Sequence, residues 1–129
     1  AALRLVGAVE RKGHLSIGED AGEAAGCGAI GIKIVDDLSS ILTQGEVIID
    51  FSSPAATLEH LRLAAQHCRA MVIGTTGLST QDLVELRTLT RQIPCVFSPN
   101  MSVGVRFLVR WQELSVKTTT SRSSRHIIA

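Results

Sequence analysis

Four short polar stretches each follow an apolar run, and two charged residues open the first of them. Glu10 and Arg11 come directly after the run that begins at Leu3. A carboxylate at the end of a strand can accept hydrogen bonds from both hydroxyls of an adenosine ribose, and an adjacent arginine can pair with a 2′-phosphate. The pair therefore suits NADH or NADPH, although a charged pair after a strand is also typical of a solvated loop.

The stretch from Gly74 to Gly77 (GTTG) is better suited to close contact with a ligand. Glycine lets a ligand approach the backbone, and the hydroxyls of Thr75 and Thr76 add donors and acceptors without bulk. A plain turn between a strand and a helix explains the same residues equally well. The remaining two stretches begin at Phe51 and at Ser98, where the sequence reads SPNM.

Strand and helix signals alternate along the chain and define the elements that must position these stretches. Helix 54–67 is predicted from Ser53 and Pro54, which are typical of a helix start. A second helix begins at a capping box of Ser79 and Asp82, and a last one is predicted from Ser102. Apolar runs predict strands over 3–9, 33–35, 46–51, 70–74 and 95–98, whereas the glycine-rich segment 12–31 predicts an irregular surface loop.

This alternation predicts a doubly wound α/β domain with a parallel sheet. The strands are apolar throughout rather than at every second residue, which is typical of a sheet covered on both faces. A chain of 129 residues is long enough for one such domain. Ligands in these folds bind beyond the carboxyl ends of the strands, so the four polar stretches are expected to converge there.

Other kinds of site find little support in the sequence. No G-x-G-x-x-G follows a strand, and the four histidines and three cysteines show no spacing for a metal or a hydrolytic triad, so we predict no catalytic and no metal-binding residues. His60 and His67 are interpreted as solvated residues of one helix. Cys27, Cys68 and Cys95 are interpreted as free thiols, most simply as small apolar fillers.

Composition limits the partners that we expect. Hydrophobic residues make up 45% of the chain and aromatic residues only 3%, which favours a globular protein over one that stacks nucleic-acid bases. Val116 to Ala129 contain three of the thirteen Lys and Arg, which leaves ten basic against twelve acidic residues elsewhere. We therefore expect no nucleic-acid partner. No apolar run approaches the roughly 20 residues of a membrane span, so we expect a cytoplasmic protein and no membrane partner.

The motifs LVGAVER, VIIDFSSP, MVIGTTGL and FSPNMSVGV, in this order and spacing, closely resemble the N-terminal, dinucleotide-binding domain of the dihydrodipicolinate reductases. The resemblance covers about Leu3 to Glu113. It implies a Rossmann-like fold and an oxidoreductase that uses NADPH or NADH to reduce 4-hydroxy-tetrahydrodipicolinate, a small molecule of diaminopimelate and lysine biosynthesis. It also implies a cytoplasmic homotetramer.

The resemblance assigns cofactor-binding roles residue by residue. Glu10 would contact the adenosine ribose and Arg11 the 2′-phosphate. The nicotinamide side would be lined by the residues of the two later stretches, with Phe51 against the cofactor: Gly74, Thr75, Thr76, Ser98, Pro99, Asn100 and Met101.

The chain departs from the family pattern at both ends. The family's first strand, glycine-rich turn and first helix are missing, so we expect residues 1–115 to form a partial dinucleotide-binding domain. Residues 116–129 are expected to be an irregular tail. One legal set of codons for this tail, read two bases later, encodes EDYDVEIIEAHHR, which is similar to the family's next segment; we hypothesise a frameshift, which resequencing the DNA would test.

These departures make us expect an inactive fragment of the reductase. The alternative is a non-functional remnant or pseudogene product that binds no ligand tightly.

Overall fold

A single parallel sheet organises the computed structural model, which describes residues 3–99 and 125–129. Within these residues the sheet has six strands in the order β2-β1-β6-β3-β4-β5. The strands are β1 (Leu3–Val9), β2 (Ile34–Val35), β3 (Val47–Asp50), β4 (Ala70–Ile73), β5 (Cys95–Phe97) and β6 (Arg125–Ile128). The predicted doubly wound α/β fold class is confirmed, and the first five strands lie within the predicted runs.

The strand order reverses at the centre of the sheet. From β1 the chain moves outward to β2, whereas from β3 it moves outward in the opposite direction to β4 and β5. The reversal therefore lies between β1 and β3. In open α/β sheets the crevice at this point, beyond the carboxyl ends of the strands, is the usual place for a ligand.

Three α-helices connect the described strands: α1 (Ala21–Ala24), α2 (Pro54–Gln66) and α3 (Thr80–Leu89). The hydroxyl of Ser53 caps α2, and Pro54 stands in its first turn. The side chain of Ser79 accepts from the Asp82 amide while Asp82 accepts from the Ser79 amide, so the predicted capping box is confirmed. The helix predicted from Ser102 lies outside the described residues.

One face of the sheet contributes to the hydrophobic core. Ile48 on β3 and Met71 on β4 are in register and buried, and they belong to one cluster with Leu61 of α2 and Leu86 of α3. On the opposite face Val47, Ile49 and Val72 are only half-buried, and Val96 on β5 is 41% exposed. The described residues therefore cover the two faces unequally, and burial alternates along β3 and β4.

The strand β6 differs from the irregular tail that the sequence predicts. Arg125–Ile128 lies between β1 and β3 and is parallel to both. Ile128 is 1% exposed, and a Cβ on Gly45 would stand only 2.6 Å from its Cγ1 atom. The expectation is wrong for these four residues because two parallel strands offer unpaired amides and carbonyls that an Ile-rich segment can satisfy. Residues 116–124 lie outside the described part, and the domain boundary stays a prediction.

The cysteines differ in exposure. Cys27 and Cys68 are exposed, so they are not apolar fillers. Cys68 follows α2 with a φ of 52°, the left-handed conformation that usually falls to glycine at a helix end. Cys95 on β5 is partly buried, and this burial raises the pKa of its thiol to about 11. The filler interpretation therefore suits Cys95 alone.

Candidate functional site

A cleft of about 700 Å³ opens at the carboxyl edge of the sheet, where the strand order reverses. Glu10 and Arg11 line it on the side of β1, and Ser52 and Ser53 line it on the side of β3, just before α2. Its volume falls in the range of about 300–1,000 Å³ that is typical of small-molecule sites. Two of the four predicted stretches thus face one cleft.

The loop after β1 holds Glu10 in place by backbone contacts. The Glu10 amide donates to the Val35 carbonyl at 2.9 Å, and the Arg11 amide donates to Oε1 of Glu10 at 2.7 Å. The second carboxylate oxygen of Glu10 has no recorded partner among the described residues, and Arg11 is exposed. This arrangement leaves one carboxylate oxygen and one guanidinium for a ligand.

A second cavity of about 330 Å³ adjoins the first and lies at the end of β3. Phe51 lines it on one side, and Ile128 and Ala129 at the end of β6 line it on the other. Glu10 and His60 line both cavities. The two cavities therefore adjoin, and residues 128 and 129 of the predicted tail line the second of them.

Phe51 joins the second cavity to the stretch after β4. The Phe51 ring lies against Gly74, in the space that a Cβ at position 74 would occupy, and the ring is 64% exposed. The Gly74 amide also donates to the Asp50 carbonyl at 2.8 Å. A side chain at position 74 would displace the Phe51 ring. Because Gly74 has none, the ring can lie over the backbone of this residue.

The two threonines after β4 have different environments. Thr76 is exposed, whereas Thr75 is 2% exposed and accepts a hydrogen bond from the Thr57 hydroxyl of α2 at 2.7 Å. The Thr57 hydroxyl oxygen in turn lies 3.3 Å from that of Ser52. The expectation that both threonine hydroxyls serve a ligand does not fit Thr75, because its side chain holds the loop to α2 instead.

The fourth stretch begins at the neighbouring strand end. The Ser98 amide donates to the Ile73 carbonyl at 3.0 Å, which places Ser98 beside the end of β4, and Pro99 is exposed. Asn100 and Met101 lie outside the described residues. Of the predicted cofactor-binding residues, Glu10, Arg11 and Phe51 surround the two cavities, and Gly74 joins them through the Phe51 ring.

An aspartate–histidine pair at this edge was missed by the sequence analysis. Asp50 ends β3 and is 4% exposed; its Oδ2 atom lies 2.9 Å from Nδ1 of His60, which is 21% exposed. The solvated interpretation of His60 is therefore wrong. Ile48 and Asp50 share the face of β3 that packs on α2, so a charged residue at position 50 required a partner from that helix. This requirement is the signal that could have identified the pair.

Burial alone would raise the pKa of Asp50, but hydrogen bonds outweigh it. His60 and Ser52 both hydrogen-bond the carboxylate, and together they hold the pKa of Asp50 below its ordinary value of 3.8. The pair therefore presents an ionised aspartate behind an imidazole that faces the site.

Two other kinds of feature are absent from residues 3–99 and 125–129. These residues contain no group of three or more His, Cys, Asp or Glu that could hold a metal ion. No helix among them is long and apolar enough to span a membrane.

The fold and the site define a class. A parallel sheet whose strand order reverses beside a cleft lined by an acid–arginine pair is the arrangement of a dinucleotide-binding α/β domain. Residues 1–101 match the family described as dihydrodipicolinate reductase, N-terminus. The chain belongs to this family.

Relatives named 4-hydroxy-tetrahydrodipicolinate reductase support this membership. The protein from Syntrophus aciditrophicus is 41% identical over 90% of this chain and 43% of its own length. That from Acinetobacter baumannii strain AYE is 45% identical over 91% of this chain and 43% of its own length. That from Geobacter sulfurreducens is 46% identical over 77% of this chain and 37% of its own length. The chain thus spans less than half the length of these curated relatives.

Proposed function

We propose that this chain binds NADPH or NADH along the carboxyl edge of its sheet, as the cofactor domain of a 4-hydroxy-tetrahydrodipicolinate reductase of diaminopimelate and lysine biosynthesis. The observation that carries the proposal is the cleft that Glu10 and Arg11 share with Ser52 and Ser53. The family and the names of the relatives support the same function.

The adenosine half of the cofactor fits the side of the site formed by the loop after β1. The free carboxylate oxygen of Glu10 would accept from the ribose hydroxyls, and the exposed Arg11 guanidinium would pair with a 2′-phosphate. Glu10 serves both cofactors, whereas Arg11 adds affinity for NADPH alone.

The nicotinamide half would lie towards the ends of β4 and β5. There the backbone of Gly74 and Thr75, the exposed Thr76 and the Ser98–Pro99 stretch would line it, together with Asn100 and Met101 by family resemblance. The exposed Phe51 ring would form an apolar wall on this side. The bound dinucleotide supplies the hydride; these residues bind and orient it.

The relatives named as reductases are more than twice as long as the part of them that this chain matches. This chain offers no residue that we assign to proton transfer, so we expect the chain alone to be inactive. By family resemblance, the complete reductase would be a cytoplasmic homotetramer.

The alternative is a remnant that folds but binds no ligand tightly. One observation favours it: Ile128 and Ala129 form part of the wall of the second cavity, so the chain itself fills space beside the centre of the proposed cofactor site.

Titration of the chain with NADPH and with NADH distinguishes these functions. We expect Arg11→Ala to weaken NADPH binding about tenfold or more, since a charged hydrogen bond contributes roughly 1.5–3 kcal/mol, and to leave NADH binding almost unchanged. Glu10→Ala should weaken both. Arg91→Ala, at an exposed arginine after α3, is the matched control. No detectable binding of either cofactor at millimolar concentration would favour the remnant.

A further inference from the structure

His14 lines the first cavity together with Glu10 and Arg11, but neither the sequence motifs nor the family resemblance gives it a role. It lies in the loop between β1 and β2, and its ring is partly buried. Backbone hydrogen bonds fix the path of this loop. His14 is therefore a well-positioned polar side chain at the site that the proposed function does not yet use.

The loop after β1 is attached to β2 on both sides of His14. Before it, the Glu10 amide donates to the Val35 carbonyl at 2.9 Å, and after it the Gly18 amide donates to the Ile34 carbonyl, also at 2.9 Å. Both ends of the loop are thus joined to the same strand. A loop that is already ordered loses less conformational entropy when a ligand binds.

A tight turn brings His14 back beside Arg11. The His14 amide donates to the Arg11 carbonyl at 3.1 Å, which closes a four-residue turn between these two positions. Gly13, the third residue of the turn, has a φ of 77°, which a type II turn requires at this place and which glycine adopts without strain. The turn as well as the shared cavity therefore places His14 beside Arg11 at the site.

A backbone contact determines which ring nitrogen of His14 carries the proton. The Ser16 amide donates to Nδ1 of His14 at 3.2 Å. Because an amide can only donate, Nδ1 is the unprotonated nitrogen, and the single proton of the neutral ring lies on Nε2. No partner of Nε2 is recorded in the part of the chain that the structure describes. The ring therefore retains one uncharged hydrogen-bond donor.

An uncharged donor suits the charges of the first cavity. More acidic than basic side chains line it, namely Glu10, Asp36, Asp37 and Glu59 against Arg11 and Lys12. Hydroxyl groups of a ligand are compatible with such surroundings, and the adenosine ribose carries them. The proposed function already assigns Glu10 as the acceptor for these hydroxyls. Because a carboxylate cannot donate, the lone pairs of the same hydroxyl oxygens still need a donor from elsewhere.

We propose that His14 donates a hydrogen bond from Nε2 to the oxygen substituent on the 2′-carbon of the adenosine ribose. This inference rests on the proposed function, in which the neighbouring Arg11 is assigned to the 2′-position. In NADH the substituent is a hydroxyl, which can donate to Glu10 while it accepts from His14. In NADPH the 2′-phosphate offers acceptor oxygens at the same place. His14 therefore contributes to the binding of both cofactors, whereas Arg11 adds affinity for NADPH alone.

The test measures the affinity of the whole chain for NADH, for NADPH and for 2′-deoxy-NADH, which lacks the 2′-hydroxyl of the adenosine ribose. We expect His14→Ala to weaken the binding of NADH and of NADPH about three- to tenfold, the size of a neutral hydrogen bond. The analogue should bind the parent and His14→Ala equally, because it lacks the acceptor. His67→Ala, at the exposed end of α2, is the matched control and should leave all three affinities unchanged.

Two amide variants separate the donor from the contact within the loop. The side-chain amide of Gln reaches the approximate position of Nε2 and can donate there. The shorter side chain of Asn reaches only the position of Nδ1, where its oxygen can accept from the Ser16 amide. We therefore expect His14→Gln to recover part of the NADH affinity and His14→Asn to bind NADH as weakly as His14→Ala.

Two results would overturn the donor role and assign His14 to the support of the loop alone. One is that His14→Asn binds NADH as tightly as the parent. The other is that His14→Ala weakens NADH and 2′-deoxy-NADH by the same factor. In both cases the proposed function stands, since the parent binds NADH and Arg11→Ala tests the cofactor site separately. If the parent chain binds neither cofactor, the proposed function and the role of His14 are both overturned.

Discussion

The two sides of the sheet, divided by β6, are stabilised in different ways. On the side of β3, β4 and β5, long helices connect the strands, and Leu61, Met71 and Ile73 are almost completely buried. On the side of β1 and β2, residues 12–33 form a glycine-rich excursion in which α1 is a single turn. The first side depends on an apolar core, whereas the excursion on the second side depends on hydrogen bonds within a loop.

Asp20 is the centre of the hydrogen bonds on the second side. Its Oδ1 atom accepts from the amides of Gly22, Glu23 and Ile30, and its Oδ2 atom accepts from the Gly31 amide at 2.7 Å. These bonds, that from the Ile30 amide most of all, hold the pKa of Asp20 below its ordinary value of 3.8. The Asp20 carboxylate thus stabilises the excursion, as the buried apolar cluster stabilises the packing of the helices.

The largest effect is expected from a truncation in the apolar side. Leu61→Ala removes a side chain with no solvent exposure from the contact between α2 and the sheet. We expect it to lower the free energy of unfolding by about 2–5 kcal/mol, through lost burial and a residual cavity. Denaturant unfolding measures this change. Val84→Ala on the 60% exposed surface of α3 is the control and should change it by less than about 0.5 kcal/mol.

The same contrast explains how much of the fold could be predicted. Helices α2 and α3 carry local signals, a proline after a serine cap and a reciprocal capping box, so α2 was predicted within one residue of its bounds and α3 was predicted to begin where it does. The short helix α1 was not predicted, because the contacts of Asp20 extend to amides ten and eleven residues further along the chain. Strand β6 was missed because its partners, β1 and β3, are more than seventy residues away in sequence.

The site shows the same division. Glu10, Arg11 and Phe51 could be chosen because ligands in α/β folds bind where strands end, and strand ends are local signals. The inward hydroxyl of Thr75 and the pairing of Asp50 with His60 depend on how α2 packs on the sheet. The spacing of residues in the sequence does not determine that packing, so these side-chain contacts are visible only in the folded structure.

The second prediction concerns Asp50, which joins the apolar side to the site. Its pKa is lowered in the folded state, so its contribution to stability is present above 3.8 and is lost as the pH falls through the lowered value. We expect Asp50→Asn to reduce the free energy of unfolding by about 1.5–3 kcal/mol at pH 7, the usual size for hydrogen bonds to a charged group.

The difference between parent and Asp50→Asn should shrink as the pH is lowered below about 4, because the parent carboxylate is then protonated as well. Urea unfolding of both proteins at several pH values measures it. Glu46→Gln, at an exposed carboxylate before β3, is the matched control. A difference that stays constant from pH 7 to pH 3 would contradict the role assigned to the charge.

The smallest effect on global stability is expected from the carboxylate of the second side. Asp20→Ala removes the acceptor of all four loop amides, but the excursion contributes none of the large buried side chains of the core. We expect the amides of Ile30 and Gly31 to exchange with solvent faster, while those of Met71 and Ile73 keep the parent rate. Native-state hydrogen exchange at neutral pH measures both sets in one experiment.

Glu23→Ala is the control for this last change, because Glu23 lies in the same turn and its carboxylate accepts no recorded hydrogen bond among the described residues. Faster exchange confined to the loop would show that the two sides unfold separately. If Asp20→Ala instead accelerates exchange in β4 as much as Leu61→Ala does, the excursion is part of the cooperative core. The distinction between an apolar side and a hydrogen-bonded side would then be wrong.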